Sequence, residues 1–360
     1  MAGTQRGMIN GMRHPHASVL ALCALALIAI AGCGSSSTSS SSTAAAGPTG
    51  TTSDTATTQS APVLPPAVAQ LPAAEHPRAG QFPAVGGRNL NQLATLARSS
   101  VQLGAATGTF TPGVRRFAFA LTTGSGAFVY APTALYISTS PRAPVKGPFL
   151  APADPLAVAP RFRSKQNTGP GGIEAIYAAA VPVAHTGTYD VLSLTRTPHG
   201  LIGSSGEIAV AATSPIPNVG QRPPAIATDT PASVHGDIAL LTTRTPADDM
   251  HAVSFNQVLG KHPIALLFST PQLCISRVCG PVTDVVVQLE QQFRNRIAFI
   301  HEEVYVDNNP AKGLRPQLKS FHLETEPWLF TVNSKGVIAA RLEGSFGVNE
   351  TRQALQEALQ

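Results

Sequence analysis

The chain has 360 residues, room for about two domains at roughly 150 residues each. Hydrophobic residues make up 43% and charged residues only 12%, which excludes a wholly disordered chain and leaves enough apolar material for real cores. The formal net charge of +5 is unevenly placed: residues 33–214 carry 11 Lys/Arg against 6 Asp/Glu, whereas residues 215–360 carry 12 against 14.

Residues 1–33 form a targeting segment. Arg6 and Arg13 give a positive start, and "ASVLALCALALIAI" (17–30) is an apolar run of signal-peptide length, too short for a confident membrane span. It ends in "IAGC", Ile30 to Cys33, which resembles a bacterial lipoprotein signal. That resemblance implies cleavage before Cys33, lipidation of Cys33, and residence on the extracytoplasmic face of the cell membrane. An exported chain has protein partners rather than nucleic acid, and its compartment lets disulfides persist. Residues 34–94 read as a Ser/Thr/Ala/Pro-rich tether, disordered because it is nearly uncharged and poor in large apolar residues.

From 95 to 214 the pattern is short alternating runs separated by Gly, Pro, Ser and Thr. "RRFAFALTT" puts Phe117, Phe119 and Leu121 on one face, and "TALYIST" does so with Leu135 and Ile137. This rhythm predicts an antiparallel β-sandwich. "AHTGTYDVLSL" resembles the E–F corner of immunoglobulin-like domains, with Tyr189 as the corner tyrosine and Val191 where a cysteine often stands. No catalytic constellation is visible in this half. Arg142, Lys146, Arg161, Arg163 and Lys165 fall close together in sequence and read as a solvated loop region, or else as a face for anionic lipid.

The Pro-rich junction "SPIPNVGQRPP" (214–224) precedes a change of rhythm, and 215–360 reads as a second, α/β domain. "HPIALLFST" is a continuous apolar strand, "GPVTDVVVQLEQQFRNR" a helix with Pro281 in first position, and "IAFIHEEVYV" a strand. "KGLRPQLKSFHL" reads as a helix, "PWLFTVN" and "GVIAARLEG" as a hairpin, and "NETRQALQEALQ" as a closing helix with Asn349 as N-cap. The order β-α-β-α-β-β-α, with "CGP" (279–281) at the mouth of a helix and "TEPWLF" placed like a cis-proline loop, resembles a thioredoxin-like domain. The predicted fold class is therefore multidomain: an immunoglobulin-like all-β sandwich followed by an α/β thioredoxin-like domain.

Cys274 and Cys279 are the two cysteines beyond the targeting segment. A thiol at the first turn of a helix is stabilised as thiolate by unpaired N–H groups and the helix dipole, and nearby Arg277 adds to this. The resemblance implies Cys279 as nucleophile and Pro327 as the cis-proline shaping a substrate groove. The sequence departs from the family pattern at Val282, which replaces the second cysteine, so Cys274 is the available resolving partner. The strand "PIALLFST" also lacks the buried acid many relatives carry, and Glu326 replaces it only if it points inward. Three readings stay open: thiol–disulfide exchange on exported proteins, a structural disulfide in a binding or assembly lipoprotein, and a copper site of Sco type with His301 or His322 as third ligand. A peroxiredoxin is excluded because Ile275 holds the position that needs Thr or Ser. No other cofactor is implied.

If Cys33 is lipidated, the full-length chain expressed in a bacterial host partitions with membranes, and Cys33→Ala accumulates as uncleaved precursor. Release of that variant as a processed soluble protein is the outcome that removes the lipoprotein reading.

Overall fold

A computed structural model of the chain describes residues 70–167 and 172–360. The targeting segment, Cys33 and the run through residue 69 lie outside the described residues. The described residues all belong to one compact unit.

Nine strands build the first half: β1 (Arg98–Ser99), β2 (Gln102–Ala105), β3 (Gly113–Thr122), β4 (Thr133–Ser138), β5 (Lys146–Leu150), β6 (Ala153–Pro155), β7 (Ala175–Val183), β8 (Gly187–Thr197) and β9 (Gly200–Val210). They form two sheets, in orders β1-β9-β8-β4-β5 and β2-β3-β7-β6. All pairings are antiparallel except the short β1–β9 pair. The alternation read in the sequence places Phe117, Phe119 and Leu121 in one core with Leu135, Ile137, Tyr177 and Val191. Phe119 stacks on Phe117 and on Tyr177, with centroids 5.6 and 5.3 Å apart, at the separation aromatic pairs favour. Tyr189, buried at the crossing from one sheet to the other, accepts a hydrogen bond from the His185 N–H at 2.9 Å.

Strand β4 is buried on both faces, and its second face explains a difference from the sequence expectation. Ala134, Tyr136, Leu192 and Leu194 pack against Phe82, Leu90 and Leu93, and the Tyr136 hydroxyl donates to the Pro83 carbonyl at 2.6 Å. Residues 70–94 are thus ordered, with helical turns at Leu71–Ala74 and Leu90–Ala94, the latter capped by Asn89. The tether expected over 34–94 does not extend through them. A few widely spaced apolar residues sufficed to cover a sheet face, where composition averaged over the whole run suggested none.

The second half has β10 (Ile264–Phe268), α1 (Cys279–Phe293), β11 (Ala298–Glu302), α2 (Pro316–Ser320), β12 (Trp328–Val332), β13 (Ile338–Glu343) and α3 (Val348–Ala358), in the expected order. The sheet runs β11-β10-β12-β13, with β10 parallel to β11 and antiparallel to β12. Ala265 and Leu267 of β10 face Val282, Val285 and Leu289 of α1 and Leu355 of α3. Ile264, Leu266 and Phe268 face Phe255, Leu318, Phe321 and Phe330 on the other side. Burial on both faces is why β10 reads as an unbroken apolar run. Helix α1 starts at Cys279, so Pro281 is its third residue rather than its first; the missing N–H still falls among first-turn donors without intrahelical partners.

The two halves share a polar and apolar seam. Leu156, Val158 and Phe162 complete the core on α1. Arg116 of β3 reaches Glu350 at 2.6 Å and donates to the carbonyls of Glu343 and Ser345. Asp154 of β6 accepts from the N–H groups of Asn349 and Glu350, both at 2.9 Å. Asn349, expected as the N-cap of α3, is therefore inside the helix, and a carboxylate from the sandwich does the capping. The junction 214–224 is docked: Gly220 and Gln221 exchange backbone hydrogen bonds with Ile338 at 2.9 Å. The five basic residues clustered in sequence divide between the β4–β5 connection (Arg142), the start of β5 (Lys146) and the β6–β7 connection (Arg161, Arg163, Lys165).

Removal of this cap is a direct measure of the seam. At pH 8, where Asp154, pushed up to about 6 chiefly by burial, is ionised, Asp154→Ala lowers the unfolding free energy by roughly 1–2 kcal/mol. Urea unfolding checks this, and a loss under a few tenths of a kcal/mol contradicts the capping role.

Candidate functional site

Cys274 and Cys279 form a disulfide, with Cα atoms 6.0 Å apart. Strand β10 delivers the chain to Ser269 and Thr270, both fully buried, and the loop 271–278 returns it to the start of α1. Cys279 is the first residue of α1, and Val278 before it provides no side-chain cap. The first-turn N–H groups and the helix dipole therefore act on the Cys279 sulfur. Arg277, two residues before the helix, has φ of 58°. Cys279 is fully buried and Cys274 is 8% exposed, whereas Ile275 between them is 93% exposed. Gln166 of the sandwich half covers the helix start: a Cβ on Gly280 would fall 2.5 Å from its carbonyl oxygen. Glycine is required there by close approach of backbone.

The Glu326–Pro327 peptide, at the entry to β12, is cis. The Glu326 carboxylate and both sulfurs lie within 4.8 Å of one another. Glu326 is half-buried and points toward the disulfide, not away from it as a surface residue. Burial raises its carboxyl pKa, and neighbouring Glu303 raises it further. Glu303, fully buried, accepts from the Thr243 N–H and hydroxyl at 2.6 and 2.8 Å, and its second oxygen has no hydrogen-bond partner. One acid, Glu326, thus stands at the sulfurs, supplied by the loop before β12 rather than by β10, and Glu303, just past β11, acts on it by charge.

The two histidines proposed as metal ligands do not join the cysteines. His322 is exposed on the turn after α2. His301 is fully buried on β11, where its Nδ1 lies 3.0 Å from Asp248 and its Nε2 lies 3.1 Å from the Ser269 carbonyl. Among the described residues the groups able to hold a metal ion are Cys274, Cys279, Glu326 and, separately, Asp248, His251, His301. The donor set of two thiolates plus imidazole, expected for a Sco-type site, is not assembled. Burial alone would lift Asp248 and depress His301; their mutual charge overcomes it, holding Asp248 well below the carboxylate range and lifting His301 to about 9. Sequence reasoning missed Asp248, His251 and Glu303, and also the buried pair of Arg244 with Asp284 of α1. Their partners are too distant in sequence for spacing to signal them.

No family model matches the sequence, and no curated protein matches it. Among solved structures with a similar chain is that of MTB DsbF in its mixed oxidized and reduced forms, at 16% identity over 38% of this chain and 99% of that chain, with a TM-score of 0.27. That likeness is too distant to define a fold or an activity.

A carboxylate beside two sulfurs opposes thiolate formation. Glu326→Gln therefore speeds alkylation of the reduced cysteines at pH 7 by several-fold, up to about tenfold for one unit of thiol pKa. Rates against pH, measured with a small alkylating agent, check this; an unchanged profile places the Glu326 carboxylate outside the site.

Proposed function

We propose that the chain is an exported thiol–disulfide exchange protein with a thioredoxin-like C-terminal half, acting on thiols or disulfides of other exported proteins. The observation that carries this reading is the disulfide itself, set between an exposed loop tip and the uncapped start of α1, with Glu326 and cis-Pro327 beside it. The sheet order and helix placement support the thioredoxin-like assignment. The β7-to-β8 crossing between sheets and the Tyr189 contact support an immunoglobulin-like sandwich. Attachment to the outer membrane face through Cys33 rests on the "IAGC" pattern. No helix among the described residues is long and apolar enough to cross a membrane.

Access and thiolate stability divide the roles of the two sulfurs. A partner thiolate attacks Cys274 Sγ, the less buried sulfur. A partner–Cys274 disulfide forms, the Cys274–Cys279 bond breaks, and Cys279 leaves as a thiolate stabilised by the helix start. A second partner thiolate then attacks the partner sulfur of that mixed disulfide and releases Cys274; the partner dithiol is oxidised and this pair is reduced. The reverse sequence reduces a partner disulfide. This assigns contact with the partner to Cys274 and the internal thiolate to Cys279, the opposite of the order implied by helix position alone, because access as well as thiolate fraction decides which sulfur reacts.

The burial of both sulfurs also favours a second reading, a static staple in a binding or assembly lipoprotein. A closed loop of six residues stabilises by only about 2 kcal/mol. The reduction potential of the pair separates the two: exchange catalysts fall at about −120 to −270 mV, structural bonds below about −300 mV. Under the exchange reading Cys279→Ser traps mixed disulfides through Cys274, and Cys274→Ser traps fewer. A potential below about −300 mV with no trapped species leaves the staple.

A further inference from the structure

A second chemical cluster lies apart from the sulfurs. Asp248 and His251 sit in the segment that leads into β10, and this segment is held on the outer edge of the sheet by the His301 N–H donating to the Met250 carbonyl at 2.8 Å. Asp248 Oδ2 is 3.0 Å from His301 Nδ1, and Asp248 Oδ1 is 3.2 Å from His251 Nε2. All three side chains are sequestered, those of Asp248 and His301 completely.

We propose that Asp248, His251 and His301 form a binding site for a divalent transition-metal cation of the zinc class, independent of the disulfide. The donor set of two imidazoles and a carboxylate suits such an ion. Four ligands about 2.0–2.1 Å from zinc stand roughly 3.3 Å from one another, close to both observed separations. His301 Nε2 faces the Ser269 carbonyl, which calls for N–H at that nitrogen. In the neutral ring this turns the Nδ1 lone pair toward the Asp248 carboxylate, so that two acceptors confront each other unless a cation or a proton lies between them. A backbone carbonyl on the far nitrogen is the usual device for orienting a metal-bound histidine.

His251 is the independent indicator. Its ring is buried, yet neither nitrogen has a hydrogen-bond partner. Nε2 is near Asp248 Oδ1 without the alignment of a hydrogen bond. A buried imidazole whose Nδ1 meets no partner and whose Nε2 meets a carboxylate off the hydrogen-bond line is exceptional, and a cation at Nε2 accounts for that approach. Asp248 is itself oriented by the Thr242 hydroxyl at 3.0 Å, and Glu303 adds negative charge near His301. A cation here clamps the lead-in segment to β11. It also fixes Ser269, whose hydroxyl meets Thr283 at 2.9 Å on the active helix.

The test uses the full chain with its disulfide formed, so that no thiolate competes. After chelator treatment, Co²⁺ titration is followed by visible absorption, and thermal unfolding is recorded with Zn²⁺ and without it. The expected result is saturation at one equivalent, displacement of Co²⁺ by Zn²⁺, and a raised Tm. His251→Phe is folded by circular dichroism and loses more than about 100-fold in affinity, beyond the cost of removing a group that only orients a ligand. His251→Gln keeps the fold assay independent of ring size. A Cys274→Ser/Cys279→Ser variant binds as the parent does. Absence of one-equivalent binding, equal affinity in both His251 variants and the parent, or loss of binding in the cysteine variant each overturns the proposal. The first of these leaves the cluster as an aspartate–imidazolium pair.

Discussion

One buried ion pair ties three segments of the chain together. Asp284, one turn into α1 and fully buried, meets the Arg244 guanidinium at 2.9 Å. The same carboxylate accepts from the Ser164 N–H and the Asn167 side chain. Arg244 in turn donates to the carbonyls of Phe162 and Pro246. The sandwich loop, the lead-in to β10 and helix α1 are thus joined at one point close to Cys279. Truncating one member of such a pair leaves an uncompensated charge, at a cost of about 3–5 kcal/mol. The placement of Gln166 over Gly280, and so the burial of Cys279, follows from this anchor.

How much of this was legible in the sequence depends on range. The strands of the second half, with the hairpin of "PWLFTVN" and "GVIAARLEG", came from local pattern, because burial on one or two faces writes directly into residue order. The β3 and β4 faces were legible for the same reason. Asp154 as a cap was not, since the sequence shows only a plausible local candidate, Asn349, and the true partner lies 195 residues away. Residues 70–94 were misjudged because three apolar anchors, Phe82, Leu90 and Leu93, are enough when a preformed sheet face awaits them.

The site divides in the same way. Cys274, Cys279 and Pro327 were singled out from short motifs, and the structure sets the two sulfurs and the Glu326 carboxylate within 4.8 Å of one another, with the cis Glu326–Pro327 bond in the same loop. Glu326 was recognised as conditional on its direction, which no sequence supplies. His301 carried two possible meanings in a strand buried almost throughout, and its partners Asp248 and His251 come from an irregular stretch with no period to read. Position at a helix start argued for one reactive sulfur and solvent access for the other; the second depends on a loop from the opposite half of the chain.

That dependence has an evolutionary consequence. Gln166, Ser164 and Asp154 in the first half are fitted to Gly280, Asp284 and α3 in the second, so closely that a Cβ on Gly280 would fall 2.5 Å from the Gln166 carbonyl oxygen. The halves are therefore not interchangeable modules that recombination can shuffle at the Pro-rich junction. A crossover there would inherit a helix without its cap and a carboxylate without its donors. Variation at these positions should travel in pairs across the junction, so that aligned relatives would show correlated substitutions linking the sandwich to the sulfur-bearing helix.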